Sequence, residues 1–546
     1  MSSARVVECV PNFSEGRNEE TIQAIASAIK STEGCSLLDV EPGVSINRTV
    51  YTFVGSPESV VMGALSAAKV AYKLIDMTKH HGEHPRIGAM DVCPFVPVAN
   101  TTLEDCVRCS KSLGEQLARE LGVPVYLYEA SQERDYRRSL QSIRKGEYEE
   151  LQEKLKQADW APDYGPTTFV PRWGVSVVGA RKFLIAYNVN LLGTKEQANR
   201  ISIALRESGG STGKKPGRLK LVRALGWYVA EQGIAQVSMN LCDYEVTPIH
   251  TAFEECSKDA RELKLGVVGS EIVGLVPLKP ILMAADYYIE KEGLFVLHES
   301  QKVRLVIDRL GLNSISEFKP QEKIIEYRVG SNTDGPLASG SVRSFVEQLA
   351  ARTSAPGGGS ASACIASMGA ALGAMVGLLT FGNRKFEALD PVMRVAIPPL
   401  HSATQQLIPL IDKDTQAFSS YMEALKLPKT TKEEIAKRKQ AMQDGLKDAI
   451  EVPLNVMKIA YGCWDYMITI ATHGNETALS DIQVGGCSLH TGLKGAYYNV
   501  CINLKQVTDE DYVRTVREEV ERMSQSSEDK LTLLLDTVKQ RQNKGQ

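Results

Sequence analysis

No charge of either sign dominates this chain of 546 residues: Lys+Arg 63 against Asp+Glu 66 leaves a formal net charge of -3. That balance removes the electrostatic reason to expect nucleic acid or an anionic membrane as the main partner, while leaving room for a local basic pocket. The 11 cysteines are odd in number and thinly spread, in a chain large enough not to need covalent staples. Cys106 and Cys109 form a lone CxxC with no second pair at zinc-site spacing, so reduced thiols on a helix face are expected. Residues 1–11 have no apolar run of the kind an export signal requires, and a cytosolic location is the expectation. One uncharged segment, residues 361–381, is long enough to cross a bilayer and is followed by Arg384 and Lys385. Much of it is Gly, Ala and Ser, with Gly369, Gly373 and Gly377 at four-residue spacing, and no second convincing span accompanies it. A buried bundle helix is therefore expected, with no transmembrane segment.

What is present is an ordinary globular composition, 43% hydrophobic and 24% charged, in a chain too long for one core. Strand signals at 6–10, 36–40, 49–54, 93–98 and 125–128 alternate with helical patterns at 19–29, 57–71 and 103–121. That alternation predicts an α/β unit over most of the first 180 residues. A second set begins near residue 183, with helices at 194–206 and 251–265 and a strand at 235–240 between them. Residues 330–340 read as a turn-rich linker, exposed and mobile. Beyond it, helical patterns at 342–351, 360–381, 393–411, 415–425, 432–449, 453–466, 491–503 and 509–540 predict a bundle. Pro398 and Pro399 predict a break or kink. The chain is thus a mixed α/β front portion and an all-helical rear portion, joined near residue 335.

The densest chemistry lies in His80-His81-Gly82-Glu83-His84-Pro85-Arg86, followed by Ile87-Gly88 and Asp91. Gly82 and Pro85 keep this stretch from being regular helix. Histidine accepts and donates a proton near neutral pH, and arginine anchors an anionic substrate. His80 and His84 are four apart, so a metal-assisted hydrolase using His80, His81 and His84 is an alternative, although the glutamate is misplaced for HExxH. A polar surface loop is the plain reading. The glycine-rich residues 208–215 lack the first glycine of a phosphate loop and carry Lys215 where Ser or Thr should follow Lys214, which predicts an exposed loop. In the rear portion, Ala355-Pro-Gly-Gly-Gly-Ser360 precedes the apolar helix. Its glycines allow close approach, Ser360 can cap the helix, and free N–H groups there can receive an anion. Asp412 and Asp414, by spacing alone, are ordinary acids near a helix N-terminus.

Four motifs in order, Cys9-Val-Pro-Asn-Phe-Ser-Glu-Gly16, Asn47-Arg-Thr-Val-Tyr-Thr-Phe53, the 80–86 stretch and Gly193-Thr-Lys-Glu-Gln197, closely resemble the formimidoyltransferase-cyclodeaminase family. The resemblance extends over essentially all 546 residues. It implies an α/β front portion of two subdomains with mixed sheets, at 1–182 and 183–328, a linker at 329–341, and an all-α helical-bundle domain at 342–546. It implies a bifunctional folate enzyme of histidine degradation. The formimino group of N-formimino-L-glutamate passes to N5 of tetrahydrofolate, and the product is then cyclodeaminated to 5,10-methenyltetrahydrofolate and ammonia.

On this chain the family's transferase histidine falls at His84 and its cyclodeaminase aspartate at Asp414. Folate binding is implied for Gly165, Pro166, Thr167, Thr168, Phe169, Val170, Pro171, Arg172, Trp173 and Gly174; by side-chain chemistry, and not by the family pattern, Phe169 and Trp173 are expected against the pterin and Arg172 toward the glutamate tail. Arg86 is expected to hold a carboxylate, and Asp39 or Glu41 to orient His84 or a cationic amidine; family members commonly carry aspartate where this chain has Glu41. Gly358, Ser360, Asp481, Asn499 and Asn503 are supporting candidates. The reading requires no metal and no tightly bound cofactor, with tetrahydrofolate, preferably polyglutamylated, as co-substrate. It also implies a homo-octamer built as a tetramer of dimers, and association with intermediate filaments, centrosomal structures or the Golgi. A folate-binding cytoskeletal or Golgi scaffold is the non-enzyme alternative.

Overall fold

Period-two alternation in the front strands sends side chains to two different cores. In Arg48–Gly55 and Met90–Ala99, Phe53 and Phe95 face one way, Val54 and Val96 the other, and all four are fully buried. The computed structural model describes residues 5–44, 46–82, 85–210, 216–328 and 335–544. The chain divides into two compact units, Ala4–Ser331 and Asn332–Gln546.

In the front unit, a seven-stranded sheet runs in the order Cys35–Gly43, Arg48–Gly55, the broken strand Val6–Cys9 and Asn12–Phe13, Met90–Ala99, Ser176–Ala180, Val125–Glu129. Its first pairings are antiparallel and its last two parallel, so the sheet is mixed. Helices Glu19–Lys30, Pro57–Leu74 and Leu103–Leu121, each started by a side-chain cap from Asn18, Ser56 or Thr102, cover the Phe53–Phe95 face. On the opposite face, Leu38, Val54 and Val96 join the core of a second sheet. That sheet runs Gly266–Val273, Ile185–Leu192, Ile234–Leu241, Val222–Val229 and is antiparallel throughout. Helices Lys195–Leu205, Ile249–Glu262, Leu278–Glu292 and Glu299–Leu310 complete its core. Most of the glycine-rich 208–215 loop, and residues 329–334 of the expected linker, lie outside the described residues.

In the rear unit no strand occurs among the described residues. Helix Gly358–Thr380 packs against Leu479–Leu504, Asp390–Leu407 and Leu410–Lys426. Among the described residues it is the one helix long and apolar enough to cross a membrane. Its glycines have packing causes. A Cβ on Gly369 would meet the backbone of Leu489 and Gly485, one on Gly373 the sulfur of Met467, and one on Gly377 the side chain of Ile397. The expected interruption at Pro398 and Pro399 does not occur: Asp390–Leu407 continues through both. Both prolines lack the N–H that would bond back to the preceding turn, yet the helix is not interrupted. Lys432–Gly462 likewise passes through Pro453, where two helices were expected.

Gly369→Ala should lower rear-unit stability by about 1–3 kcal/mol, because the new methyl meets backbone that cannot rotate aside. Urea unfolding followed by helical circular dichroism tests this, and an unchanged midpoint would show that the crossing has slack.

Candidate active sites

The histidine-rich loop is fixed from below by parts of the chain far away in sequence. Asn47 accepts the Gly16 N–H at 3.0 Å through Oδ1 and donates from Nδ2 to the His81 carbonyl at 3.0 Å. Gly82 lies so close to the Ile46 carbonyl that a Cβ there would collide with it. Ser14 donates to the Gly88 carbonyl at 2.7 Å. The motifs around Gly16, Asn47 and His80 therefore converge on one loop. Glu83 and His84 lie outside the described residues.

His80 is buried, and its Nε2 lies 2.7 Å from the Asn47 carbonyl oxygen. A carbonyl only accepts, so Nε2 carries the proton and Nδ1 is left to accept from Arg86 Nε–H at 3.4 Å. Burial, followed by the nearby guanidinium, lowers the His80 pKa, while the Asn47 bond opposes the shift. Both ring nitrogens are thus engaged, which removes His80 from the proposed metal set. Among the described residues no group of three or more His, Cys, Asp and Glu could hold a metal ion. Arg86 turns its outer face to Glu149, with Nη1 and Nη2 at 2.9 and 2.7 Å from the two carboxylate oxygens, and to Glu147 at 3.1 Å. The carboxylate expected on Arg86 is therefore, in this structure, the protein's own.

Residues 165–174 lie beside this loop. The Ala89 N–H donates to the Trp173 carbonyl at 2.8 Å, Val175 N–H to Ile87 at 2.9 Å, and Met77 N–H to Arg172 at 3.1 Å. Gly174, with φ +78, has no room for a Cβ beside the Ile87 carbonyl. Trp173 is wholly buried, donates to Ser176 Oγ at 3.0 Å and belongs to the core, so it is not a pterin platform. Gly165, Thr167, Thr168, Pro171 and Arg172 are exposed, and Pro166, Phe169 and Val170 are half-buried. Arg172 lies 3.8 Å from Asp76. Phe169 packs tilted against Tyr148, ring centroids 5.5 Å apart, and the Tyr148 hydroxyl donates to the Pro171 carbonyl at 2.6 Å. Asp39 and Glu41 sit side by side on the edge strand Cys35–Gly43. Partial burial and the Asp39 charge raise the Glu41 carboxyl, against the pull of Lys323.

In the rear unit the Asp414 carboxylate lies at the first turn of Gly358–Thr380. Its Oδ2 accepts the Ser360 N–H at 2.9 Å and the Ser360 hydroxyl at 3.2 Å. Thr415 Oγ1 is 3.2 Å from the same hydroxyl. A Cβ on Gly359 would overlap this carboxylate, so glycine there is a steric requirement. The helix starts at Gly358, with Gly357 as its cap. Ser360 is thus inside the first turn, and its orphan N–H is capped by Asp414 from another helix. Burial raises the Asp414 pKa, and the two Ser360 bonds oppose that shift. Asn499 sits next to Gly358 and donates to the Gly495 carbonyl at 2.8 Å, while Asn503 donates to Ala449 at 3.3 Å. Asp481 is at the other end of Leu479–Leu504, roughly 27 Å along the axis from Asn499 at the usual rise per residue. Within this chain it does not line the Asp414 site.

Asp412 does different work. Its Oδ1 and Oδ2 accept the N–H groups of Leu337 and Ala338, each at 2.9 Å. Leu337 is buried, so this part of the expected mobile linker is docked.

Sequence comparison places the chain among known proteins. Residues 6–181 match the formiminotransferase domain, N-terminal subdomain, residues 186–330 the formiminotransferase domain, and residues 341–522 the formiminotransferase-cyclodeaminase description. The formimidoyltransferase-cyclodeaminase of Dictyostelium discoideum is 56% identical over 539 residues, covering 98% of this chain and 99% of the relative. The chain belongs to the formimidoyltransferase-cyclodeaminase family. The Sus scrofa formimidoyltransferase-cyclodeaminase is 53% identical over 541 residues, 99% of this chain and 100% of that protein. The glutamate formimidoyltransferase of Streptococcus pyogenes serotype M1 is 44% identical over 290 residues, 53% of this chain and 95% of that protein. In this formimidoyltransferase-cyclodeaminase family member, the residues that sequence reasoning missed are Asn47 as a side-chain bridge, Tyr148 with its flanking glutamates, and Thr415. A glutamate on each side of a tyrosine was the one available signal.

Two substitutions two residues apart should act on stability with opposite sign. A carboxyl whose folded pKa is raised stabilises the fold while protonated, an effect present below the unfolded value near 3.9 and lost as pH rises through the folded value. Asp414→Asn should therefore be at least as stable as the parent at pH 7, with the difference closing below about pH 4. Asp412→Asn loses a charged acceptor for main-chain N–H groups and should cost about 1–3 kcal/mol at pH 7. Urea midpoints of both variants across pH test the pair, and equal loss in both would contradict the assignment.

Proposed function

We propose that this chain carries out two consecutive folate one-carbon steps: formimino transfer from N-formimino-L-glutamate to N5 of tetrahydrofolate, then cyclodeamination to 5,10-methenyltetrahydrofolate. The observation that carries the reading is the end-to-end similarity to formimidoyltransferase-cyclodeaminases, joined in the rear unit to the Asp414 carboxyl at the start of Gly358–Thr380. The transferase is assigned to subdomains 1–182 and 183–328, the cyclodeaminase to 342–546, and 329–341 to their connection.

In the front unit N5 attacks the formimino carbon, a proton leaves N5, and the C–N bond to glutamate breaks as that nitrogen takes up a proton. His84 is assigned both transfers, as one imidazole can take the first proton and return the second. Arg86 is assigned a substrate carboxylate, and the exposed Thr167, Thr168, Pro171 and Arg172 the folate. Trp173 and Gly174 shape that surface from behind. In the rear unit N10 attacks the formimino carbon and ammonia departs. A carboxyl with a raised pKa, placed as Asp414 is, suits the transfer of the N10 proton to the leaving nitrogen. Tetrahydrofolate is a co-substrate here, and the chemistry calls for no resident cofactor. By the same family resemblance we assign a cytosolic location and a homo-octamer, whose mass light scattering of the purified protein tests directly.

Incubation of the pure protein with N-formimino-L-glutamate and tetrahydrofolate, following both products by absorbance and mass, tests the whole reading; a protein that binds folate without turnover would support the scaffold alternative. His84→Ala should slow transfer by about 100- to 10,000-fold while leaving cyclisation of supplied 5-formiminotetrahydrofolate intact. Asp414→Asn should do the converse and accumulate the intermediate. Full transfer by the His84 variant would remove that residue from the mechanism.

A further inference from the structure

The front pocket holds an ion pair whose two members are unequally committed. Arg86 is held from behind by His80, through Nδ1 on its Nε and through the His80 carbonyl on Nη2. Only 8% of its side chain is exposed, whereas Glu149 is 60% exposed and Glu147 45%. A buried guanidinium cannot stay unpaired without a large desolvation penalty. Its partners, however, sit on a surface turn in which Gly146 and Glu147 both have positive φ, 86 and 51. The pocket in front of Arg86, about 500 Å³, is lined by His81, Gly82 and the glutamates of this turn.

We propose that Glu149 is a displaceable counter-ion that occupies, on Arg86, the place a substrate carboxylate takes during formimino transfer. The inference rests on the reading of the front site as a transferase acting on an acidic donor. Glu149 meets Arg86 with both oxygens, the side-by-side geometry that a free carboxylate uses with a guanidinium. Exchange of one carboxylate for another leaves Arg86 paired at every stage, and the displaced anion goes to solvent, where it is already mostly exposed. A neutral molecule offers no such exchange, so the closed pair selects for acidic donors. Glu147, which also lines this pocket, stays in place to face the cationic formimino end. Tyr148, between them, spans to Phe169 and Pro171, so the same turn borders the surface assigned to folate.

Steady-state kinetics of the full-length protein, with L-glutamate as a competing probe, test this. Glu149→Gln should lower both the KM for N-formimino-L-glutamate and the inhibition constant of L-glutamate by about 2- to 5-fold, as expected for loss of a partly exposed competing ion pair. The change should fall in KM and not in kcat. Glu149→Asp, whose shorter arm reaches Arg86 less well, should fall between, and Arg86→Lys should raise both constants. An unchanged thermal unfolding transition of the front unit reports that each variant is folded. Unchanged or higher constants in Glu149→Gln would overturn the proposal and make Glu149 a plain support for Arg86. Absence of formimino transfer in the parent protein would instead overturn the proposed function, so the two failures are distinct.

Discussion

Asp91 is wholly buried at the start of Met90–Ala99, where it accepts the Ile87 N–H at 2.9 Å and pairs with Arg144. A carboxylate in that position would be costly alone, and so would an unpaired loop N–H; together they satisfy each other. The same device recurs at several places where irregular chain meets a regular element. Asp163 accepts the Leu127 N–H and the Arg137 guanidinium, each at 2.8 Å. Glu326 accepts the N–H of Leu278 at 2.8 Å, at a helix start that has no side-chain cap of its own. Asp412 fixes Leu337 and Ala338, and Asp414 fixes Ser360. Both candidate sites hang on members of this set, because Asp91 holds the loop that carries the histidines and Asp414 is itself one of the clasps.

Asp412 and Asp414 show how one interaction serves two purposes. Asp412 commits both oxygens to main-chain donors and leaves little for a ligand. Asp414 engages through Oδ2 alone among the described hydrogen bonds, one of them from a hydroxyl that can rotate. Its second oxygen accepts no hydrogen bond among the described ones. Two residues of helix separate an anchor from an acid, and formal charge does not distinguish them. The number of main-chain donors each can reach does.

Much of this was legible beforehand, and the failures have physical causes. Alternating strands, capped helices and the change to all-helical pattern gave the architecture, because those signals depend on local periodicity. The prolines at 398, 399 and 453 misled because a propensity that breaks an isolated helix is overridden when the turn is held by packing, and behind Pro453 the Ala449 carbonyl accepts from Asn503. The histidine loop was legible from residue type. Its supports were not: Asn47, Glu147 and Glu149 lie 31, 61 and 63 positions from their partners Gly16, Arg86 and Arg86, and nothing local announces such contacts. Trp173 was read as a ligand platform although its indole N–H had a core partner three residues away at Ser176.

The glycines in these motifs carry a further lesson about why the sites tolerate little change. At Gly359 the helix N-terminus and the Asp414 carboxylate share the volume a methyl would fill; at Gly335 the Asp412 carboxylate does the same; at Gly82 it is the Ile46 carbonyl. In each case the missing side chain is what lets a charged or polar group reach main-chain N–H or lets a neighbouring turn approach. Any side chain there would push a reacting or clasping group outward by a substantial part of an ångström, and misplacement of about 1 Å can cost about a hundredfold in rate. The glycines and the carboxylates are thus one device: an acid short enough to reach the backbone, opposite a residue small enough to let it.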